Sequence, residues 1–358
     1  MATTIRTYLP DFIYSSELQE IEFKTDESKL HISLEDEGEV LLQTSIYAYD
    51  GKATFCNIVD IIENYMNYTD KSYVEYNLTY SDAYNNLLGS ITLKTLYCTH
   101  IPNTKVSAFA FSNFLTTLPE RRIHRYASTY LYLLLSEGEE GVAKAHCTIV
   151  NNKGEIESVV VDFYNLSTTK ICIKRIPSEY NYICYYLSKI CPDFQKVLSY
   201  TIEFNDRYCT FYLIDDSLDL MLSFKNCFNV GESFCLTAST TTKIKVNRSM
   251  VISKGKSSYY DQTVDKTYEV QTAPLTQAEA EWMEQLFVSH TIGAGLNPDP
   301  KDLDKVIITD ITYEVCDDGS NMHTIKFEWR YADKHPYLTI PHRFKSHIFT
   351  NEYNHSFN

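Results

Sequence analysis

Polar and apolar residues alternate along most of this chain. Between residues 20 and 48, Ile21, Phe23, Leu30, Ile32, Leu34, Val40 and Leu42 are largely separated by polar residues. That is the two-residue period of half-buried strands. Glu35-Asp36-Glu37-Gly38-Glu39 divides two such runs as a hairpin loop, and Asp50-Gly51 marks a tight turn. The period then changes. Ile58, Ile61, Ile62, Tyr65 and Met66 recur at helical spacing and predict a short amphipathic helix over 57–67. Strands resume at 72–80, 89–99 and 106–112. Leu118-Pro119-Glu120-Arg121-Arg122 reads as a charged loop, and further strands are expected at 128–135, 142–150, 156–163 and 168–175.

After Pro177, Ile183, Tyr186, Leu187 and Ile190 form a helical stripe. A helix over 178–191 is therefore expected to link two β-rich halves. The β pattern returns at 198–204, 208–214, 219–228, 233–238, 242–252 and 264–271. The best-marked helix, 277–289, follows. Thr276 and Glu279 have capping-box spacing, Ala278, Trp282, Leu286 and Phe287 form an apolar face, and Glu279, Glu281 and Glu284 are expected to face water. Val306 to Val315 and Met322 to Tyr331 make a last hairpin. The expected architecture is mainly β, sandwich- or barrel-like, in two domains that each carry a short packed helix. The first spans 1–177 and the second 178–345, with a polar-aromatic tail at 346–358.

Composition sharpens the picture. Tyrosine occurs 29 times, against 18 Phe and 2 Trp. It suits half-buried pleated surfaces, because its ring packs while its hydroxyl reaches water. The formal charge of −15 argues against a nucleic-acid backbone as partner. No signal-peptide h-region and no long apolar run is visible, so membrane insertion is not expected. The ten cysteines form no CxxC pair and read as buried thiols.

Catalytic patterns are missing. There is no HExxH, no GxSxG and no complete P-loop; Val251 to Ser258 holds Gly-Lys-Ser without the first glycine and reads as a loop. His146 and Cys147 adjoin on a strand and point to opposite faces. Asp299, Asp302 and Asp304 lack EF-hand spacing. No enzyme activity, metal or cofactor is expected. Lys243, Lys245, Arg248, Lys254 and Lys256 read as a solvated strand face, or as a basic surface for an acidic patch on a partner subunit. Trp329, Tyr331, Tyr337, Phe349 and Tyr353 are the candidate contact residues.

Several segments carry a resemblance. They are Phe224 to Ser233, Thr240 to Ser249, Tyr268 to Met283, and the hairpin Ile307 to Tyr313 with Ile325 to Ala332. Tyr49 to Phe55 and Phe114 to Arg122 belong with them. Their order resembles structural proteins of tailed bacteriophages that infect gut bacteria, crAss-like phages among them. The resemblance implies a virion component of the tail hub or baseplate, in a homo-oligomeric ring that touches other tail proteins. It carries over no functional residue. The alternative is an adhesin module of the tail that binds a host receptor or glycan.

Overall fold

A computed structural model describes residues 3–100, 104–214, 219–295, 304–312 and 323–333. The chain is mainly β, as the alternation predicts, and its strands build three successive packed units.

The first unit is a five-stranded sheet in the order Phe12–Tyr14, Leu87–Leu96, Tyr73–Ser81, Lys29–Asp36, Glu39–Tyr47. Its alternation is regular. In Lys29–Asp36 every second residue is buried, and Leu30, Ile32 and Leu34 face a core shared with Phe23, Phe55 and Tyr76. A three-stranded sheet and the helix Ile58–Thr69 complete that core through Ile58, Ile62 and Met66.

The middle unit is a five-stranded sheet in the order Ile156–Ser167, Glu140–Val150, Lys196–Phe204, Arg207–Ile214, Glu120–His124. A two-stranded sheet, Tyr130–Leu135 with Cys172–Pro177, and the helix Tyr180–Ile190 share its core. The core clusters therefore do not divide at residue 177. Ile176, Ile183 and Leu187 lie in one cluster with Phe163 and Tyr200. The helix expected to link two halves lies inside this middle unit, because its Ile183/Leu187 stripe has a sheet to cover.

The third unit is a seven-stranded sheet: Gly231–Leu236, Leu220–Lys225, Ile292–Ala294, Asp304–Thr312, Lys326–Tyr331, Lys256–Thr272, Ala238–Ser253. The helix Gln277–Val288 packs on it, with Trp282, Met283 and Leu286 in the core. A turn of this unit, Asn226 to Val230, enters the junction between the other two. Cys227, Phe228 and Val230 cluster there with Tyr14, Leu96 and Leu134.

The structure differs from the sequence-based expectation at named places. Residues 106–112 form not a strand but the short helix Val106–Ala110, with Val106 and Ala110 buried four residues apart. The charged stretch at 118–122 leads into the strand Glu120–His124, which pairs in parallel with Arg207–Ile214. Val251 to Ser258 is not a loop but the end of a hairpin, turning on Lys254-Gly255 with both φ angles positive (50° and 74°). Glu279 does not face water: it is buried and takes Arg122 in a two-point ion pair at 2.6 and 2.8 Å.

Candidate assembly surface

The hairpin Ala238–Ser253/Lys256–Thr272 is the longest pairing among the described residues, and most of it lies outside any core. Its first strand measures about 50 Å at ~3.3 Å per residue. At its base it belongs to the sheet. Lys326–Tyr331 pairs with Tyr268 to Gln271, and Val270 is buried. From the Lys243–Thr267 pair to the tip, no third strand flanks the ribbon among the described residues.

Alternation gives this arm two unlike faces. Residues opposite one another in an antiparallel ladder share a face. The face that begins with core residue Val270 and with Tyr268 runs outward through Ile244, Val246 and Val264, with Lys266, Arg248 and Gln262 interspersed among them. A bulge between Ser249 and Met250 preserves the side, so Met250, Tyr259 and Ile252 extend it. Ile244, Met250 and Ile252 are 64%, 65% and 75% exposed. The opposite face carries Thr241, Lys243, Lys245, Asn247, Ser249, Thr263 and Asp265.

The ladder is braced on that polar face. Lys243 reaches Glu269 at 2.9 Å and Glu328 at 2.5 Å, and Asn247 donates to Asp265 at 3.0 Å. On the apolar face the Arg248 guanidinium lies 5.1 Å from the Tyr259 ring centroid. A two-stranded hairpin alone is marginal in water. Here the face that is core at the base continues into solvent.

Charge sets the arm apart as well. Between 238 and 272 stand six cations (Lys243, Lys245, Arg248, Lys254, Lys256, Lys266) and three anions (Asp261, Asp265, Glu269), a balance of +3. The whole chain is −15, so the remainder carries −15 − 3 = −18. The five basic residues noted in the sequence all fall on this arm.

The structure distributes the other candidates differently. Trp329 is core, 4% exposed, stacked on Tyr268 with ring centroids 4.3 Å apart. Tyr331 meets Trp329 edge-on and is half-buried. Both stand at the root of the arm, so the two tryptophan-side candidates frame it rather than form the exposed surface. Tyr337, Phe349 and Tyr353 lie outside the described residues, as do Asp299 and Asp302. The apolar arm residues were not singled out from sequence. Their signal was present in the even-numbered alternation Ile244, Val246, Met250, Ile252, but alternation does not show which face stays uncovered.

A hollow of about 360 Å³ lies at the junction and is lined by Asp70, Tyr97, His100, Lys225, Gln285 and Ser289 among others. Lys225 is paired with Asp70 at 2.9 Å, and Ser289 Oγ is committed to Lys225 N and Thr291 O. Among the described residues no group of three or more His, Cys, Asp or Glu is placed to hold a metal ion. No described helix is long and apolar enough to cross a membrane. No protein-family model matches the chain, and a search of curated proteins returns no match.

Proposed function

We propose that this chain is a structural protein of a tailed-phage virion, a tail hub or baseplate ring component that works through protein–protein contacts. The observation that carries the reading is the arm. Its apolar face continues a core face into solvent over about 35 Å, at ~3.3 Å per residue, with no covering element among the described residues. Exposed apolar surface of that extent marks an interaction site. The resemblance to phage structural proteins rests partly on this same stretch, Thr240 to Ser249 and Tyr268 onward, and supplies the setting.

The test is composition and position in the particle. Peptides of this chain should appear in gradient-purified virions, and gold-labelled antibody should decorate tails. Particles that lack the chain would overturn the reading.

A second reading has its own observation. The outer face of the first sheet holds a polar hollow of about 270 Å³, lined by His31, Ser33, Gln43, Ser45, Thr79 and Asn85 among others, and Tyr84 beside it is exposed. Hydroxyls and amides of this kind suit a sugar, as in an adhesin. Glycan-array binding lost on Gln43→Ala would favour it.

A further inference from the structure

We propose that the arm of one copy adds as an extra strand to the Glu39–Tyr47 edge of a second copy, an inference that rests on the assembly reading above. Three features of that edge fit the arm.

The edge is open. Glu39–Tyr47 is an outermost strand of the first sheet and, among the described residues, pairs on one side only, with Lys29–Asp36. Edge strands are normally blunted by lysine, proline or inward charge. This one has nine residues, its single charge is Glu39 at its start, and a bulge at Leu41 interrupts its ladder only near that end.

Its two faces match those of the arm. Thr44 and Ile46 lie opposite Ile32 and Leu30, and Leu42 opposite Leu34, so all three point to the core side. They remain only half-buried, which leaves the first core open along this border. Gln43 and Ser45 sit opposite Ser33 and His31 on the polar outer side. A ribbon with one apolar and one polar face, laid along this border, extends the ladder, closes the core with Val246, Met250 and Ile252, and keeps its polar side outward. Strand addition of this kind takes affinity from backbone hydrogen bonds and specificity from alternate side chains.

Charge fixes the direction. Glu37 and Glu39 are exposed at the start of the edge strand. Antiparallel addition brings the arm tip, Lys254 and Lys256, to them. It also brings Lys245, on the polar face, towards Tyr47 and Tyr49, which are 73% and 87% exposed. The far end holds both signs, Lys24, Lys29 and Lys52 among Asp26, Glu27 and Asp50, so the acidic pair at the near end sets the register. Arm and edge are different surfaces of one chain. The contact is therefore heterologous, and repeating it generates a ring where the rotation closes.

Complementation tests this. One variant lacks residues 245–252 and 257–265, leaving Ser253-Lys254-Gly255-Lys256 to close a short hairpin. The other keeps its arm and carries Glu37→Lys, Glu39→Lys and Val40→Lys. Circular dichroism and unchanged melting first establish that both are folded. By native mass spectrometry the wild-type chain should form multimers, each variant alone should stay monomeric, and their mixture should give a 1:1 dimer that grows no further. Multimers from the charge-reversed variant, or a mixture that remains monomeric, would overturn the proposal. So would a wild-type arm that cross-links only to a different protein of the particle, an outcome that leaves the virion assignment standing.

Discussion

Arg207 shows how this chain holds charge inside a β fold. It is 1% exposed, donates to Glu139 at 2.7 Å and to the Leu134 carbonyl at 2.9 Å. Burial pushes the Glu139 carboxyl up, but Arg207, the Ser136 amide and Asn205 outweigh it and hold the group below its usual value. A depressed carboxylate stabilises the fold above its unfolded pKa and ceases to do so as pH falls through the folded one. Melting temperature should therefore drop on acidification below about pH 5, and Glu139→Gln should flatten that limb. A second charged centre joins two units. Arg121 donates to Glu232 at 3.1 Å and to Thr116 at 2.7 Å, while Trp282 Nε1 donates to the other Glu232 oxygen at 2.5 Å. Glu232→Gln leaves a buried cation without its counter-ion and should cost about 3–5 kcal/mol in urea unfolding. The double change Arg121→Met/Glu232→Leu should cost much less. Neither burial was legible in the sequence. Arg121 and Glu232 lie 111 positions apart, and a charge next to a proline reads as loop until its partner is known. Glu279 failed to read for the same reason, although its capping box with Thr276 was visible and forms as expected.

The arm is the element whose pattern and placement come apart. Its alternation, its basic residues and its Lys254-Gly255 turn all stand in the sequence. What the sequence does not carry is that Lys326–Tyr331 stops at Tyr268, and that boundary decides which apolar residues are covered. By contrast Lys29–Asp36, sheathed by neighbours on both sides, behaves as its pattern says. Val106–Ala110 was lost for another reason, since five residues are too few to show a helical period. The free arm residues have little to lose in the isolated chain. Ile244→Ser and Ile252→Ser should each change its stability by less than about 0.5 kcal/mol, yet both should weaken assembly, read as a rightward shift in the sedimentation isotherm. The same substitution at core residue Val270 should destabilise the fold itself.

At the scale of the molecule, the turn Asn226 to Val230 ties three units into one. Asn226 donates to the Leu115 carbonyl at 2.8 Å and accepts from the Phe228 amide, while Asn229 donates to the Met66 and Lys71 carbonyls. Phe228 stacks on Phe109 with centroids 5.5 Å apart, and Cys98 and Cys227 are both buried in the same seam. These contacts predict a single unfolding transition for the chain. Asn226→Ala strands two amides and a carbonyl in the junction, and should lower stability by about 1–3 kcal/mol and split the transition. A joined body gives the arm a firm root, which the ring assembly proposed above requires. The decisive measurement is amide hydrogen exchange along the arm in the free chain and in the assembled particle. Amides between Ile244 and Val264 should exchange quickly in the former and become strongly protected in the latter. Equal exchange in the two states would contradict the claim that the arm is what assembly covers.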